Sequence, residues 1–176
     1  FYKEQDAEKG VAYLEKIKDI PKEKLVYVDE TGIETQVYRQ YAVCSPRGQR
    51  VNMRISGKRH TRIGLVAGQC KGRFVAPFTY GGTMKASLFE QWFKDKLLKA
   101  LPQCRVIIMD NASFHKKEVL HGIAKEHSQI LIFLSPYSPE HNPTEHAWGA
   151  LKRNIANKMH KYGSVPSLRG LMRFYK

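Results

Sequence analysis

The sequence predicts an α/β domain in which a mixed β-sheet is covered by helices. Up to residue 80, β-branched and aromatic segments follow one another through short turns, which is typical of antiparallel strands in hairpins. From residue 105 onward, short apolar runs alternate with helical patterns, which is typical of parallel strands joined by crossover helices. A length of 176 residues with 42% hydrophobic residues suits one ordered domain with a sizeable core.

The N-terminal part of the chain predicts a helix and then a strand. Over residues 7–20, apolar side chains recur at helical spacing, so we expect a short amphipathic helix with Val11, Leu14 and Ile17 on its apolar side. A proline follows and ends it. The β-branched and aromatic segment LVYVDE then predicts a buried strand that ends at Asp29.

Turn residues divide the next part of the chain into further strands. A turn is predicted at Thr31-Gly32, and a second strand follows it over residues 36–43. The segments RIGLVAGQC (62–70) and RFVAPFTY (73–80) predict a hairpin that is joined through Lys71-Gly72.

The second half of the chain alternates between helical periodicity and short apolar runs. The first helical segment opens with SLFE at Ser87, which has the form of a capping box. The last one opens with a proline in its first turn. In total we expect helices over residues 87–100, 115–127 and 142–159, and strands over residues 105–110 and 130–134.

The charge of the chain predicts a polyanionic partner. It has 30 Lys and Arg residues against 16 Asp and Glu residues, a net charge of +14, and nucleic acid is the commonest soluble polyanion. The densest basic tract is expected to contact DNA phosphates, and its alternative role is a solvated strand face. The tract consists of Arg47, Arg50, Arg54, Lys58, Arg59 and Arg62.

Cysteine usage and hydropathy exclude several other classes of protein. Cys44, Cys70 and Cys104 lie far apart and form no CxxC pair, which argues against a zinc ribbon or a disulfide scaffold. Reduced thiols in an intracellular protein are therefore expected. No apolar stretch approaches 18 residues, so no membrane span is expected.

Three acidic residues are placed where they could meet. Asp29 and Asp110 end apolar strands, and Glu145 begins the last helix. Ligands of α/β sheets collect outside the carboxyl ends of strands, and clustered carboxylates need a cation. Two Mg²⁺ ions about 3.5–4 Å apart can activate a water or a 3′-hydroxyl for attack on a phosphodiester. Alternatively, each aspartate closes a turn, and Glu145 completes a capping box with Asn142.

Three segments together resemble a known family. They are VDETG around Asp29, IIMDNASFH around Asp110 and SPYSPEHNPTEHAWGALK around Glu145. The series is similar to the catalytic core of DDE-family transposases of the mariner-like and bacterial insertion-sequence type, and it covers residues 22–156. In that family the second aspartate lies in a "DNA..H" segment, and the third acid lies in a "PPYSP.LNP.E..W..LK" segment. The 34 residues between Asp110 and Glu145 are a spacing found in the family.

The resemblance implies a ribonuclease-H-like fold, which is a five-stranded mixed sheet with flanking helices. It implies that Asp29, Asp110 and Glu145 are catalytic and bind two Mg²⁺ ions, for which Mn²⁺ can substitute. Glu30 adjoins Asp29, and the residues alone leave open which of these two acids binds metal, whereas the resemblance implies Asp29. The implied activity is DNA cleavage at transposon ends, followed by transfer of the freed 3′-hydroxyl into target DNA.

The resemblance also implies a domain arrangement and partners. We expect an N-terminal helix or linker over residues 1–21, a catalytic domain over 22–160 and a C-terminal tail over 161–176. The family acts as dimers or higher assemblies on paired DNA ends, and its DNA-recognition region lies upstream of the catalytic core. We therefore expect a homo-oligomer on DNA, an additional segment upstream of this chain, and a location at DNA within the bacterial cytoplasm or nucleoid. No membrane partner is expected.

Four further residues are expected to support the acids. Lys152 and Arg153 follow Glu145 by two helical turns and are expected to hold DNA phosphates, although a solvated helix face is their alternative role. Asn111 and His115 flank Asp110 and are expected to position it, with a capping or surface role for His115 as the alternative.

Two other functions remain open at this point. The first is a ribonuclease-H-like nuclease or resolvase that only hydrolyses DNA. The second is a transposase-derived DNA-binding protein that has lost catalysis, against which the presence of all three acids argues.

Overall fold

The computed structural model of the protein describes residues 7–34, 46–49, 62–134 and 142–162. These ranges form one β-sheet with helices on both of its faces. The strands are β1 (Leu25–Glu34), β2 (Arg62–Cys70), β3 (Arg73–Gly81), β4 (Val106–Met109) and β5 (Ile130–Phe133). The helices are α1 (Ala7–Ile17), α2 (Ala86–Trp92, continued as a π-helix over Phe93–Leu98), α3 (Lys117–Glu126) and α4 (Thr144–Tyr162).

The strands form a five-stranded mixed sheet in the order β3-β2-β1-β4-β5. The strands β1, β2 and β3 pair antiparallel, whereas β4 is parallel to both β1 and β5. This arrangement confirms the predicted mixed sheet with flanking helices, because hairpin strands precede a strand–helix–strand crossover along the chain. The strand predicted over residues 36–43 lies outside the described residues.

The predicted end of the first strand is wrong. β1 continues past Asp29 to Glu34, so Thr31 and Gly32 are strand residues that pair with Leu65 and Gly64 of β2. The parallel pairing of β1 with β4 ends earlier, because Val28 is the last residue of β1 that pairs with β4. Hydrogen bonding to β2 thus outweighs the local turn propensity of the Thr-Gly pair. Asp29 still lies at the sheet rim on the β4 side.

The helices occur where they were predicted, but two details differ. In α1, Val11 and Leu14 are 58% and 46% exposed, whereas Tyr13 is buried at 4%, so a different side of the helix packs on the sheet. The predicted capping box at Ser87 is wrong, since α2 already begins at Ala86 and has no side-chain cap. The helix is instead stabilised by burial of its aromatic side chains, so it does not need a side-chain cap at its start.

The core lies on both faces of the sheet, because successive side chains of a strand point to opposite faces. Val26 and Val28 of β1 pack in one cluster with α2 and α3. Leu25 and Ile33 face the other side, where they pack in the clusters that hold α1 and α4 respectively. The same alternation places Asp29 on the α4 side. None of the helices in the described ranges is long and apolar enough to cross a membrane.

Candidate active site

Asp29 is half-buried on β1, and its neighbours make it hard to ionise. Its pKa is raised to about 6, chiefly by burial and then by the nearby charges of Asp110 and Glu145. The backbone N–H of Glu30 acts in the opposite direction by donating a 2.8 Å hydrogen bond to Asp29 Oδ1. The three predicted acids therefore lie close enough to influence one another, although they come from two strands and a helix.

Asp110 follows β4 directly, at the rim beside Asp29. Its Oδ1 accepts a 3.2 Å hydrogen bond from the backbone N–H of Ala112, so Asp110 does close a turn. Its side chain is nevertheless 54% exposed. An ionised carboxylate has about four acceptor positions, so one backbone hydrogen bond leaves room for a cation. The turn role and the ligand role of Asp110 are thus compatible.

Glu145 lies in the first turn of α4, and its carboxylate is exposed. The helix start is capped by Asn142, whose side-chain oxygen accepts a 3.2 Å hydrogen bond from the backbone N–H of Thr144. Within the described ranges, no hydrogen bond joins the Glu145 carboxylate to the Asn142 backbone, so the reciprocal half of a capping box is not formed. The carboxylate instead acts electrostatically on Asp29.

His115 is buried directly behind Asp110. Its Nδ1 lies 3.3 Å from the Asp110 carbonyl oxygen and 3.5 Å from Asp110 Oδ1. The rings of Phe89 and Phe114 pack against it at centroid distances of 4.4 and 4.3 Å. Burial lowers the pKa of His115, an effect that Asp110 only partly offsets. Both Asp110 oxygens lie within reach of Nδ1, so the imidazole is placed where it can hold Asp110 in position.

The alternative role of His115 as a capping or surface residue is not observed. Helix α3 begins at Lys117 with Lys116 as its N-cap, and the His115 side chain is buried. Asn111 also supports this loop, because its side-chain amide donates to the carbonyl oxygen of Leu134 and ties the end of β4 to the end of β5.

A fourth acid, Glu30, lies on the opposite face of β1 from Asp29. The Tyr80 hydroxyl donates a 3.0 Å hydrogen bond to Glu30 Oε2. The pKa of Glu30 is raised to about 7, chiefly by burial and in part by the charges of Asp110 and Asp29. Tyr80 was missed by sequence reasoning, since it lies 50 residues from its partner. Alternation of side chains along β1 explains why Glu30 and Asp29 face opposite sides of the sheet.

A small cavity adjoins Glu30, Asp29 and Asp110. It has a volume of about 120 Å³. Glu30 Oε1 and His115 Nε2 are both buried, and neither has a hydrogen-bond partner among the described residues. The lining residues are Val28, Asp29, Glu30, Phe89, Asp110, Ala112, Phe114 and His115.

The donor set at the rim fits a hard divalent cation. Asp29 and Asp110 offer carboxylate oxygens. The pKa of Asp29 is raised chiefly by burial and in part by the charges of Asp110 and Glu145, which a cation would neutralise. Among the described residues, no three His, Cys, Asp or Glu side chains stand in a metal-binding arrangement. Mg²⁺ usually takes one or two carboxylates and keeps several waters, so two aspartates with Glu145 at longer range suit it.

The predicted DNA-binding residues are only partly described. Arg47 is exposed in the short described turn 46–49, and Arg62 is exposed at the start of β2, with its guanidinium over Gly32 of β1. Lys152 and Arg153 are exposed on α4. The remaining four basic residues of the tract lie outside the described residues, namely Arg50, Arg54, Lys58 and Arg59.

Comparison with known proteins gives one family and several similar folds. A family model described as DDE superfamily endonuclease matches residues 24–169. The crystal structure of the mariner Mos1 paired-end complex with Mg is 14% identical, has a TM-score of 0.72, and is matched over 98% of this chain and 55% of that chain. The Mos1 transposase paired-end complex with left transposon end is 14% identical, with a TM-score of 0.68 over 84% of this chain and 47% of that chain.

A viral structure shares the same fold. The intasome of simian T-cell lymphotropic virus in complex with PP2A regulatory subunit B56 gamma is 12% identical, with a TM-score of 0.55 over 85% of this chain and 46% of that chain. These likenesses confirm the predicted ribonuclease-H-like fold. The chain spans about half the length of the transposase chains that it matches. No curated protein sequence matches it.

Proposed function

This chain belongs to the DDE superfamily of endonucleases, and from that premise we propose that it is the catalytic domain of a transposase. The proposed reaction is cleavage of DNA at transposon ends, followed by transfer of the freed 3′-hydroxyl into target DNA. The observation that carries the proposal is the adjacency of Asp29 and Asp110, which follow the last residue pair of β1 and β4 and line one cavity, with the charge of Glu145 near enough to raise the pKa of Asp29. The fold shared with structures of Mos1 transposase, including its strand transfer complex, supports it.

In the proposed site, Asp29, Asp110 and Glu145 hold two Mg²⁺ ions, for which Mn²⁺ can substitute. When bound, such ions lower the pKa of a water or 3′-hydroxyl and neutralise charge on the phosphodiester. His115 keeps the Asp110 carboxylate in place, and Asn111 ties the Asp110 loop to β5. Structures of Mos1 with Mn and with Mg support the choice of cations.

The proposed substrate is DNA, and the proposed assembly is a homodimer or larger oligomer on paired transposon ends. The net charge of +14 favours a polyanion. Exposed Arg47, Arg62, Lys152 and Arg153 offer phosphate contacts, and we include the predicted residues Arg50, Arg54, Lys58 and Arg59 among them. Paired-end complexes of Mos1 support the assembly on DNA. A site of action at cellular DNA follows from this substrate.

A strand-transfer assay with Mn²⁺ tests this function. The full-length protein is incubated with a pre-cut end of its own element and a target plasmid, and joined products are counted. Asp110→Asn is expected to lose at least roughly a thousandfold in rate, because cation stabilisation of the transition state contributes several kcal/mol. Asp95→Asn changes an exposed acid of α2 that pairs with Lys99, and it should retain activity.

The other outcomes of the assay separate the remaining functions. Cleavage without joining would favour the nuclease or resolvase. Binding of DNA without cleavage under any divalent cation would favour the inactive DNA-binding protein and overturn the enzymatic proposal.

A further inference from the structure

Trp148 is held rigidly at the border between α4 and the sheet. It lies one helical turn after Glu145 and is only 4% exposed. Its indole stacks on the ring of Phe74 with a centroid distance of 4.4 Å and an interplanar angle of 24°. It also packs with Leu65 and Ala67 of β2. These contacts fix the plane of the indole and hence the direction of its N–H.

The indole nitrogen of Trp148 lacks a hydrogen-bond partner within the described part of the chain, although it is buried. Leaving a buried donor unsatisfied is costly, and tryptophan usually finds an acceptor when it is buried. The other tryptophan follows this rule, since Trp92 Nε1 donates a 2.8 Å hydrogen bond to the carbonyl oxygen of Ala76. The Trp148 N–H is thus a donor that needs an acceptor.

Asp29 is the acidic acceptor that the sheet register brings to this point. It pairs with Ala67 across β1 and β2, and Ala67 packs with Trp148. Asp29 and Trp148 therefore lie on the same face of the sheet.

We propose that Trp148 is a positioning residue: a rotation of the Asp29 side chain lets its carboxylate accept a hydrogen bond from the unpartnered indole N–H, and this bond holds Asp29 for cation binding. The role of Asp29 as a cation ligand comes from the proposed function above. The same bond docks the start of α4 onto β1, so it also places Glu145 beside the two aspartates. Trp148 thereby couples the helix that carries the third acid to the strand that carries the first.

Removal of the donor is expected to weaken cation binding. Trp148→Phe keeps an aromatic ring for the stack on Phe74 and removes only the N–H and the outer ring. Loss of a hydrogen bond to a ligating carboxylate typically costs about 10–100-fold in metal affinity, so a loss of about tenfold or more is expected for Mn²⁺. The affinity is measured from the signal of free Mn²⁺ in electron paramagnetic resonance. Trp92→Phe, in the core behind α2, is the matched control.

The hydrogen bond itself is tested without metal by the indole N–H resonances of the ¹⁵N-labelled protein. The two tryptophans give two signals, which Trp148→Phe assigns. Asp29→Ala removes the acceptor and should shift the Trp148 signal and speed its hydrogen exchange. Asp110→Ala removes a neighbouring carboxylate that contacts Ala112 and His115 instead, and it should leave both nearly unchanged. The Trp92 signal should stay in place in both variants.

Two results would overturn the proposal. One is a Trp148 resonance that responds equally to Asp29→Ala and Asp110→Ala, and the other is an unchanged Mn²⁺ affinity in Trp148→Phe. A wild-type protein that binds no Mn²⁺ would contradict the proposed function instead, and the indole resonance would still decide whether the hydrogen bond exists.

Discussion

The pKa values of the acidic residues Asp29 and Glu30 depend on burial at least as much as on neighbouring charges. Asp29 has a raised pKa chiefly because it is half-buried, with Asp110 and Glu145 as the next cause in the same direction. Glu30, on the other face of the strand, is raised for the same first reason. In both cases the folded protein holds the carboxyl proton more tightly than the unfolded chain does. The site therefore stores unfavourable electrostatic energy, which a bound cation would relieve.

The stability of the metal-free protein should depend on Asp29 in a defined pH range. The pKa of Asp29 is about 6 in the fold against an ordinary value of 3.8, so the folded state binds more protons between these values. The free energy of unfolding therefore falls as pH rises through this range. Asp29→Asn should be more stable than wild type at pH 7 by on the order of 2 kcal/mol, with little difference at pH 4.

Urea unfolding in the presence of a chelator measures this difference. Added Mg²⁺ should stabilise wild type and leave Asp29→Asn nearly unchanged. Asp95→Asn serves as the control, since Asp95 is exposed on α2. A stability difference between Asp29→Asn and wild type that did not vary with pH would contradict the account.

At the scale of elements, local patterns predicted the structure where neighbours in sequence decide it. The hairpin of β2 and β3 was predicted to within one residue, because Lys71 and Gly72 adopt positive φ angles of 50° and 73°, as a two-residue hairpin turn requires. The end of β1 was not predicted, since its extension past Asp29 depends on pairing with β2 residues that lie 28 to 36 positions away in the sequence. The burial of His115 behind Asp110 likewise depends on α2, a distant element.

The pairing of β3 beside β2 supplies a second test at the scale of elements. A Cβ at Gly64 would collide with the ring of Tyr80, whose hydroxyl donates to Glu30. Gly64→Ala should therefore destabilise the protein by about 1–3 kcal/mol, because the ring must shift in a packed region. In thermal unfolding, Gly122→Ala should instead stabilise by about 0.5–1 kcal/mol, since this helical glycine in α3 has open space around it. Equal effects of the two substitutions would refute this packing.

For the whole molecule, the net charge predicts a polyanionic partner, whereas the place where that partner binds depends on the fold. The excess of 14 positive charges follows from composition alone. Lys152 and Arg153 lie on the helix that carries Glu145, and only three-dimensional structure shows how this helix docks on the sheet. Acidic residues at the sheet rim, together with exposed basic residues on the same protein, suit a site that holds cations and a polyanion together.

The salt dependence of DNA affinity should reveal phosphate contacts made by the basic side chains of α4. The logarithm of the binding constant is expected to fall linearly with the logarithm of salt concentration, with a slope of about 0.9 per phosphate contact on duplex DNA. Lys152→Ala and Arg153→Ala should each flatten the slope by about 0.9 if each side chain holds one phosphate. Lys94→Ala, on α2 at the other face of the sheet, is the control for overall charge. Equal slopes for all three variants would place the DNA elsewhere.

The central claim is that Asp29, Asp110 and Glu145 form one cation site, and anomalous scattering from crystals soaked in Mn²⁺ tests it most directly. The account predicts anomalous peaks at the sheet rim within coordination distance of Asp29 and Asp110, with Glu145 turned toward them, and loss of these peaks in Asp29→Asn. Crystals that show no peak at the rim, or a peak on the Glu30 side of β1 only, would contradict it.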